Sequence, residues 1–141
     1  MMTATDIAVI GGGVAGLSAV RALQQAGSSP LHIAPARSRS RNRGELLGPR
    51  ALASLETLEW RHLLDDQRLA LRSEARFSAW GSPTLVPVPV DPEMGLGWYV
   101  DREALEAAML AEVSAGPVQR LDASLTSCER EDEAWRLTLS T

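Results

Sequence analysis

The stretch Ile7-Ala-Val-Ile-Gly-Gly-Gly-Val-Ala-Gly16 decides the fold of this 141-residue chain. Ile7 to Ile10 is an unbroken apolar run, the pattern of a parallel strand covered on both faces. It runs straight into glycines, and Gly11, Gly13 and Gly16 form G-x-G-x-x-G. Each glycine in that spacing has a physical duty: a tight turn, close approach of backbone to a diphosphate, and close packing of helix on strand. From Val14 to Ala26 the residues Leu17, Val20 and Leu23 recur at helical spacing, and Gly27 stands where a helix stops. Leu31-His-Ile-Ala34, bounded by Pro30 and Pro35, predicts a second strand parallel to the first. Together these make a dinucleotide-binding βαβ unit. The free N–H groups of the first helical turn, near Val14 and Ala15, and the helix dipole suit a diphosphate without any basic side chain. A glycine-rich turn with no ligand is the alternative.

Units of this kind commonly place an acidic residue about 20 positions further on, at the end of the second strand, to hold the adenosine ribose. Ala34 or Pro35 occupies that place here. Arg37, Arg39 and Arg41 follow, where a guanidinium would meet the 2′-phosphate of NADP. A ribose held from elsewhere is the second reading, and a purely solvated arginine loop is the third.

Beyond that loop, Pro49 suits the first turn of a helix striped by Leu52, Leu55 and Leu58, with partial helix continuing from Trp60 to Leu71. Four prolines and three glycines between Arg76 and Tyr99 predict edge strands and turns. Asp101 is an N-cap for a helix through Ala115 carrying Leu105, Met109 and Val113, ended by Gly116-Pro117. Trp135 to Ser140 alternates strictly and predicts a half-exposed strand, paired with Ser124 to Glu129 across an acidic turn from Arg130 to Glu133.

Composition removes several function classes. All fourteen basic residues are arginine, so Schiff-base chemistry and a P-loop lysine are excluded. A net charge of -4 argues against general nucleic-acid binding. His32 and His62 stand apart with no metal-ligand spacing, so no metal site is expected. The single Cys128 forms no internal disulfide, fits a reducing, cytoplasmic setting, and is expected as a small buried residue. The N-terminus lacks the marks of a signal peptide, and no membrane span is present. No Ser/His/Asp, thiol-base or paired-carboxylate arrangement allows catalytic residues to be named.

Arg43-Gly-Glu45-Leu-Leu-Gly-Pro49 resembles the arginine- or glycine-glutamate-x-x-x-proline region of flavin monooxygenases, tryptophan-halogenase-like and geranylgeranyl-reductase-like proteins. Ala79-Trp80-Gly81-Ser82 and Gly97-Trp98-Tyr-Val-Asp-Arg102-Glu-Ala-Leu105 are similar to the W-G-S and G-W-x-x-D-R-x-x-L patterns of the same group. Within it the flavoprotein maturases that modify tryptophan in quinone-cofactor oxidases are the nearest likeness, over almost the whole chain. The resemblance implies FAD, with Gly11, Gly13, Val14, Ala15 and Gly16 at the diphosphate, Arg43 and Glu45 toward the adenosine side, and Arg102 reaching the cofactor. It also implies a protein or peptide substrate. Glu45 as a helix-dipole partner and Arg102 as a first-turn surface residue are the plainer alternatives, and Trp80 and Trp98 are expected in packing roles.

The expectation is therefore an α/β protein: residues 1–141 form a Rossmann-type FAD-binding segment with additional antiparallel strands and no separate substrate domain. The family's later motifs fall outside the sequence, so the segment is expected to be incomplete relative to the full fold and to lack the active site. An NADP-binding reductase fragment and a catalytically inactive remnant are the rival readings.

Overall fold

Residues 4–36, 45–90 and 95–140 are described by the computed structural model, and they form a mixed α/β structure with parallel and antiparallel sheets. In chain order come β1 (Ala8–Ile10), α1 (Val14–Gln25), β2 (Leu31–Ala34), β3 (Glu45–Leu47) and α2 (Ala51–Thr57). A 3-10 helix (Arg61–Asp65), β4 (Ala70–Arg72), β5 (Phe77–Ser78), β6 (Val86–Pro87) and β7 (Trp98–Val100) follow. The last elements are α3 (Arg102–Ser114), β8 (Gln119–Asp122), β9 (Ser124–Glu131) and β10 (Ala134–Ser140). They belong to two compact units, Met1–Arg39 with Glu106–Thr141, and Ser40–Leu105.

In the first unit β1 and β2 pair in parallel, Ala8 opposite Leu31 and Ile10 opposite Ile33, and β8 pairs in parallel with β2 on its other side. Parallel neighbours need a crossover, and α1 supplies it between β1 and β2. The helix ends in a Schellman closure: Ser28 N–H donates to the Leu23 carbonyl at 2.9 Å and Gly27 N–H to that of Gln24 at 3.0 Å. Side chains of β2 alternate between the faces of the sheet. Leu31 and Ile33 are buried with Ala123, against Ala8, Leu121, Leu137 and Leu139. His32 and Ala34 turn to the opposite face. Leu17 and Val20 of α1 and Met109 and Val113 of α3 are wholly buried. Gln24 Nε2 donates to the Val113 carbonyl at 2.7 Å, which also accepts from Gly116 N–H at 3.2 Å at the end of α3.

β1 differs from its expected double cover. It is an edge strand among the described residues, and Ile10 is 44% exposed. It begins one residue later than the apolar run, at Ala8, and is parallel to β2 as read from the sequence. The β9–β10 hairpin is antiparallel, as its alternation predicts, with a bulge between Thr138 and Leu139. Its turn is shorter than expected, because β9 runs on to Glu131 and only Asp132 and Glu133 connect the strands. Every residue from Cys128 to Arg136 is exposed, since this end of the hairpin extends past the core. Cys128 is therefore exposed, not buried.

In the second unit β7 is the middle of a three-stranded antiparallel sheet, with β3 and β4 on its two edges. Trp98 and Val100 face inward and Tyr99 outward, as a half-buried strand requires. Trp60, Leu55, Leu63, Leu64 and Leu105 are also buried. Pro49 lies in the turn before α2, where Ala51 N–H donates to the Gly48 carbonyl, and Arg50 takes the N-cap. β5 and β6 are the short strands expected between Arg76 and Tyr99. Trp98 has the packing role expected of it, with the Arg61 guanidinium 5.6 Å from its ring centre. Trp80 does not, being 97% exposed near the end of β5.

Asp66 follows the 3-10 helix and accepts from Arg68 three times: from the backbone N–H and Nε at 3.0 Å each and from Nη2 at 2.6 Å. These bonds, the guanidinium first, lower the Asp66 carboxyl from 3.8 to about 2. A depressed folded value means that this contribution to stability is complete above 3.8 and is lost as pH falls from there through about 2. The expected result is a carboxyl carbon resonance for Asp66 that titrates near pH 2; a midpoint at the ordinary aspartate value would show that the three bonds do not persist in solution.

Candidate nucleotide-binding loop

Gly11, Gly12 and Gly13 carry the chain from β1 into α1. Gly13 is the N-cap, extended at φ -82° and ψ 178°, and no side chain caps the helix. The first intrahelical bond runs from Leu17 N–H to the Gly13 carbonyl at 3.0 Å, so the N–H groups of Val14, Ala15 and Gly16 have no acceptor in the preceding turn. The first turn holds no acidic residue. A helix end with bare donors, the positive end of the dipole and no competing carboxylate favours an anion.

The loop is tied to the sheet at Gly11. Its N–H donates to the Ile33 carbonyl at 2.9 Å, and its φ is +120°. A Cβ on Gly16 would collide with the Gly11 carbonyl oxygen and lie 2.9 Å from the carbonyl carbon. This is the close strand-helix approach that the third glycine of the motif serves. A Cβ on Gly12 would stand 3.1 Å from that of Ala34, which is itself 2% exposed. Ala34 thus packs beneath the loop.

No carboxylate stands at the end of β2, but the register sets Asp122 beside Ala34 on the neighbouring strand. The Asp122 carboxylate is 60% exposed and bridges Arg120 at 2.9 Å. The sequence reading missed it, because the pairing of β8 with β2 spans almost ninety residues and the run Gln119-Arg-Leu-Asp122 carries little apolar signal. The reading also left His32 without a role, and its ring reaches the Gly11 carbonyl.

Of the other residues singled out by the family resemblance, Glu45 and Arg102 fall in the second unit. Glu45 opens β3, Arg102 opens α3, and Arg102 Nη1 donates to Glu45 Oε1 at 3.0 Å. Fifty-seven positions apart in sequence, they meet as an ion pair whose side chains are 40% and 47% exposed. Solvent holds such a pair to about 0.2–1 kcal/mol of stability. Asp101 is the N-cap of α3 as expected, its Oδ1 accepting from Ala104 N–H at 3.0 Å. Arg43 and the arginine run lie outside the described residues.

The second unit also has a cleft of about 410 Å³, lined by Leu52, Arg61, Leu64, Arg72 and Trp98 among others. Volume does not identify the nucleotide site here. A diphosphate is held by N–H groups at a helix end, which need no deep cavity, so the loop is the stronger candidate. Among the described residues no helix is long and apolar enough to cross a membrane.

No family model and no curated protein matches the sequence. Solved structures do match the fold. p-Nitrophenol 4-monooxygenase PnpA from Pseudomonas putida DLL-E4 superposes with a TM-score of 0.81 at 17% identity, over 99% of this chain and 37% of its own. The probable FAD-dependent monooxygenase PqsL from Pseudomonas aeruginosa gives 0.70 at 17% identity, over 95% of this chain and 38% of its own. The peptidyl tryptophan dihydroxylase QhpG, essential for tryptophylquinone cofactor biogenesis, gives 0.68 at 18% identity, over 94% and 28%. The chain therefore has the fold of one part of such proteins and spans little more than a third of their length at most.

Proposed function

We propose that this chain is the FAD-binding portion of a flavin-dependent oxidoreductase of the monooxygenase type, with β1, α1 and β2 as a Rossmann-type unit. The observation that carries this reading is the Gly11–Gly16 loop, where an uncapped helix end meets a strand so closely that only glycine fits at position 16. The fold likeness to PqsL, a probable FAD-dependent monooxygenase, supports the choice of a flavin dinucleotide, and that to the monooxygenase PnpA supports the reaction type. In such a site the N–H groups of Val14, Ala15 and Gly16 receive the diphosphate oxygens, while Gly13 lets them approach the backbone. Asp122 is a carboxylate suited to the ribose hydroxyls that Ala34 cannot bind. Arg43, Glu45 and Arg102 complete the cofactor contacts by family resemblance. Once reduced, bound flavin supplies oxygen activation, and the protein's part is to bind, orient and exclude water. A peptide substrate belongs to this reading through QhpG alone. A cytoplasmic setting goes with it.

The test is direct. The purified 141-residue chain, incubated with FAD and passed through a desalting column, is expected to emerge with the flavin absorption spectrum and quenched flavin fluorescence. A colourless protein that binds NADPH instead would overturn the flavin reading in favour of a reductase site. A folded chain that binds neither dinucleotide would leave an inactive remnant as the better account.

A further inference from the structure

The Gly11 carbonyl is approached by two elements. Gly16 closes on it from α1, and His32 Nε2 of β2 lies 2.9 Å from the oxygen. A carbonyl only accepts, so the ring is protonated at Nε2 and donates. His32 is 1% exposed in the middle of β2, with Val9 and Arg120 as its register partners on either side. Its neighbours Leu31 and Ile33 belong to the apolar core on the opposite face. Apolar residues fill a buried β-strand without desolvating an imidazole, so burying one here is costly unless its hydrogen bond does something.

The need for that bond follows from the loop. Three consecutive glycines have more conformational freedom than any other tripeptide, and nothing lies within 4 Å of where a Gly11 Cβ would be. The Gly11–Gly12 peptide meets the α1 backbone at Gly16, a contact that limits its approach without fixing the direction of its C=O as a hydrogen bond does. It is planar and trans, so fixing the direction of the Gly11 C=O fixes that of the Gly12 N–H, which points the other way. We infer that His32 is a positioning residue for dinucleotide binding: its Nε2–H pins the Gly11 carbonyl and so presets the glycine loop for a diphosphate. This rests on the proposed dinucleotide site and adds to it a residue outside the glycine motif. Preordering a flexible loop raises affinity by removing an ordering cost from the binding step.

Two substitutions test this in the full chain. Leu fills the space of His32 but cannot donate, whereas Gln carries an N–H close to the position of Nε2. The expected result is that His32→Leu weakens FAD binding by about tenfold, the effect of one lost hydrogen bond, and that His32→Gln returns it to within about threefold of the parent. Amide hydrogen exchange without nucleotide gives an independent readout, with the loop amide of Gly11, whose N–H is bonded to the Ile33 carbonyl, exchanging faster in His32→Leu than in the parent and His32→Gln, while those of β8 stay unchanged. Exchange in the loop that is the same in all three proteins overturns the inference, as does equal FAD affinity of the Leu variant and the parent. If His32→Leu does not fold, His32→Gln decides alone: loop exchange as slow as in the parent supports the pin, and faster exchange overturns it. Should the parent bind no FAD, the flavin reading fails, and loop exchange still decides the role of His32.

Discussion

Gly16→Ala is expected to abolish retention of FAD and to lower the melting temperature of the chain. The added methyl would enter the Gly11 carbonyl group, and both sides of that collision are backbone, so no rotamer change relieves it. Overpacking costs about 1–3 kcal/mol, and alanine's better helix propensity returns about 1 kcal/mol, leaving a net loss of about 2 kcal/mol if the upper end applies. At roughly 4 °C per kcal/mol for a chain of this size, the melting temperature falls by about 8 °C. Binding suffers more than stability. Relief of the clash must move the helix end away from the strand, and with it the N–H groups of Val14 and Ala15. Two charge-assisted hydrogen bonds at about 1.5 kcal/mol or more each correspond to a loss of about a hundredfold in affinity. Thermal melting and FAD titration measure the two effects. A variant that melts and binds like the parent would mean that helix and strand are further apart than they stand here.

The second large effect is expected at Gly97, just ahead of β7. Its φ is +95°, and a Cβ there would strike the Leu47 carbonyl oxygen and lie 3.2 Å from Gly48 Cα. Alanine then meets two penalties: the left-handed backbone, about 1–2 kcal/mol, and overpacking against the β3 backbone, about 1–3 kcal/mol. Their sum, about 2–5 kcal/mol, is a large share of the roughly 5–15 kcal/mol that holds a typical domain folded. Gly95 separates the two penalties. Its φ is +71°, but the nearest atom to a Cβ there is the flexible end of Arg72, at 3.6 Å. Gly95→Ala therefore pays for backbone conformation alone. Urea denaturation followed by tryptophan fluorescence is expected to show a larger midpoint shift for Gly97→Ala than for Gly95→Ala, by the equivalent of about 1–3 kcal/mol. Equal shifts would remove the clash with Leu47 from the account.

The part of the fold legible in sequence is the part fixed by local pattern. β1, α1 and β2 are consecutive, each has its own periodicity, and Gly27 announces the helix end. The hairpin of β9 and β10 and the N-cap at Asp101 were readable for the same reason. What escaped depends on partners distant in sequence or on residues out of type. α2 ends in a Schellman closure in which Glu59, at φ +60°, fills the place glycine usually takes, so no stop signal is written there. β8 is set by its pairing with β2, which its own composition does not indicate. Gly16 was recognisable from motif spacing, whereas His32 was not, because an isolated histidine gains meaning only when the fold brings a carbonyl to its ring. Glu45 and Arg102 were singled out by resemblance, but their ion pair was not foreseen.

Cys128, the only thiol in the sequence, lies exposed on β9 in the same unit as the glycine loop. That makes this 141-residue chain a ready substrate for single-site dye labelling: a maleimide fluorophore attaches to it at one defined place with no engineered cysteine and none to remove. On the proposed flavin reading, energy transfer from such a dye to the flavin would report occupancy in real time.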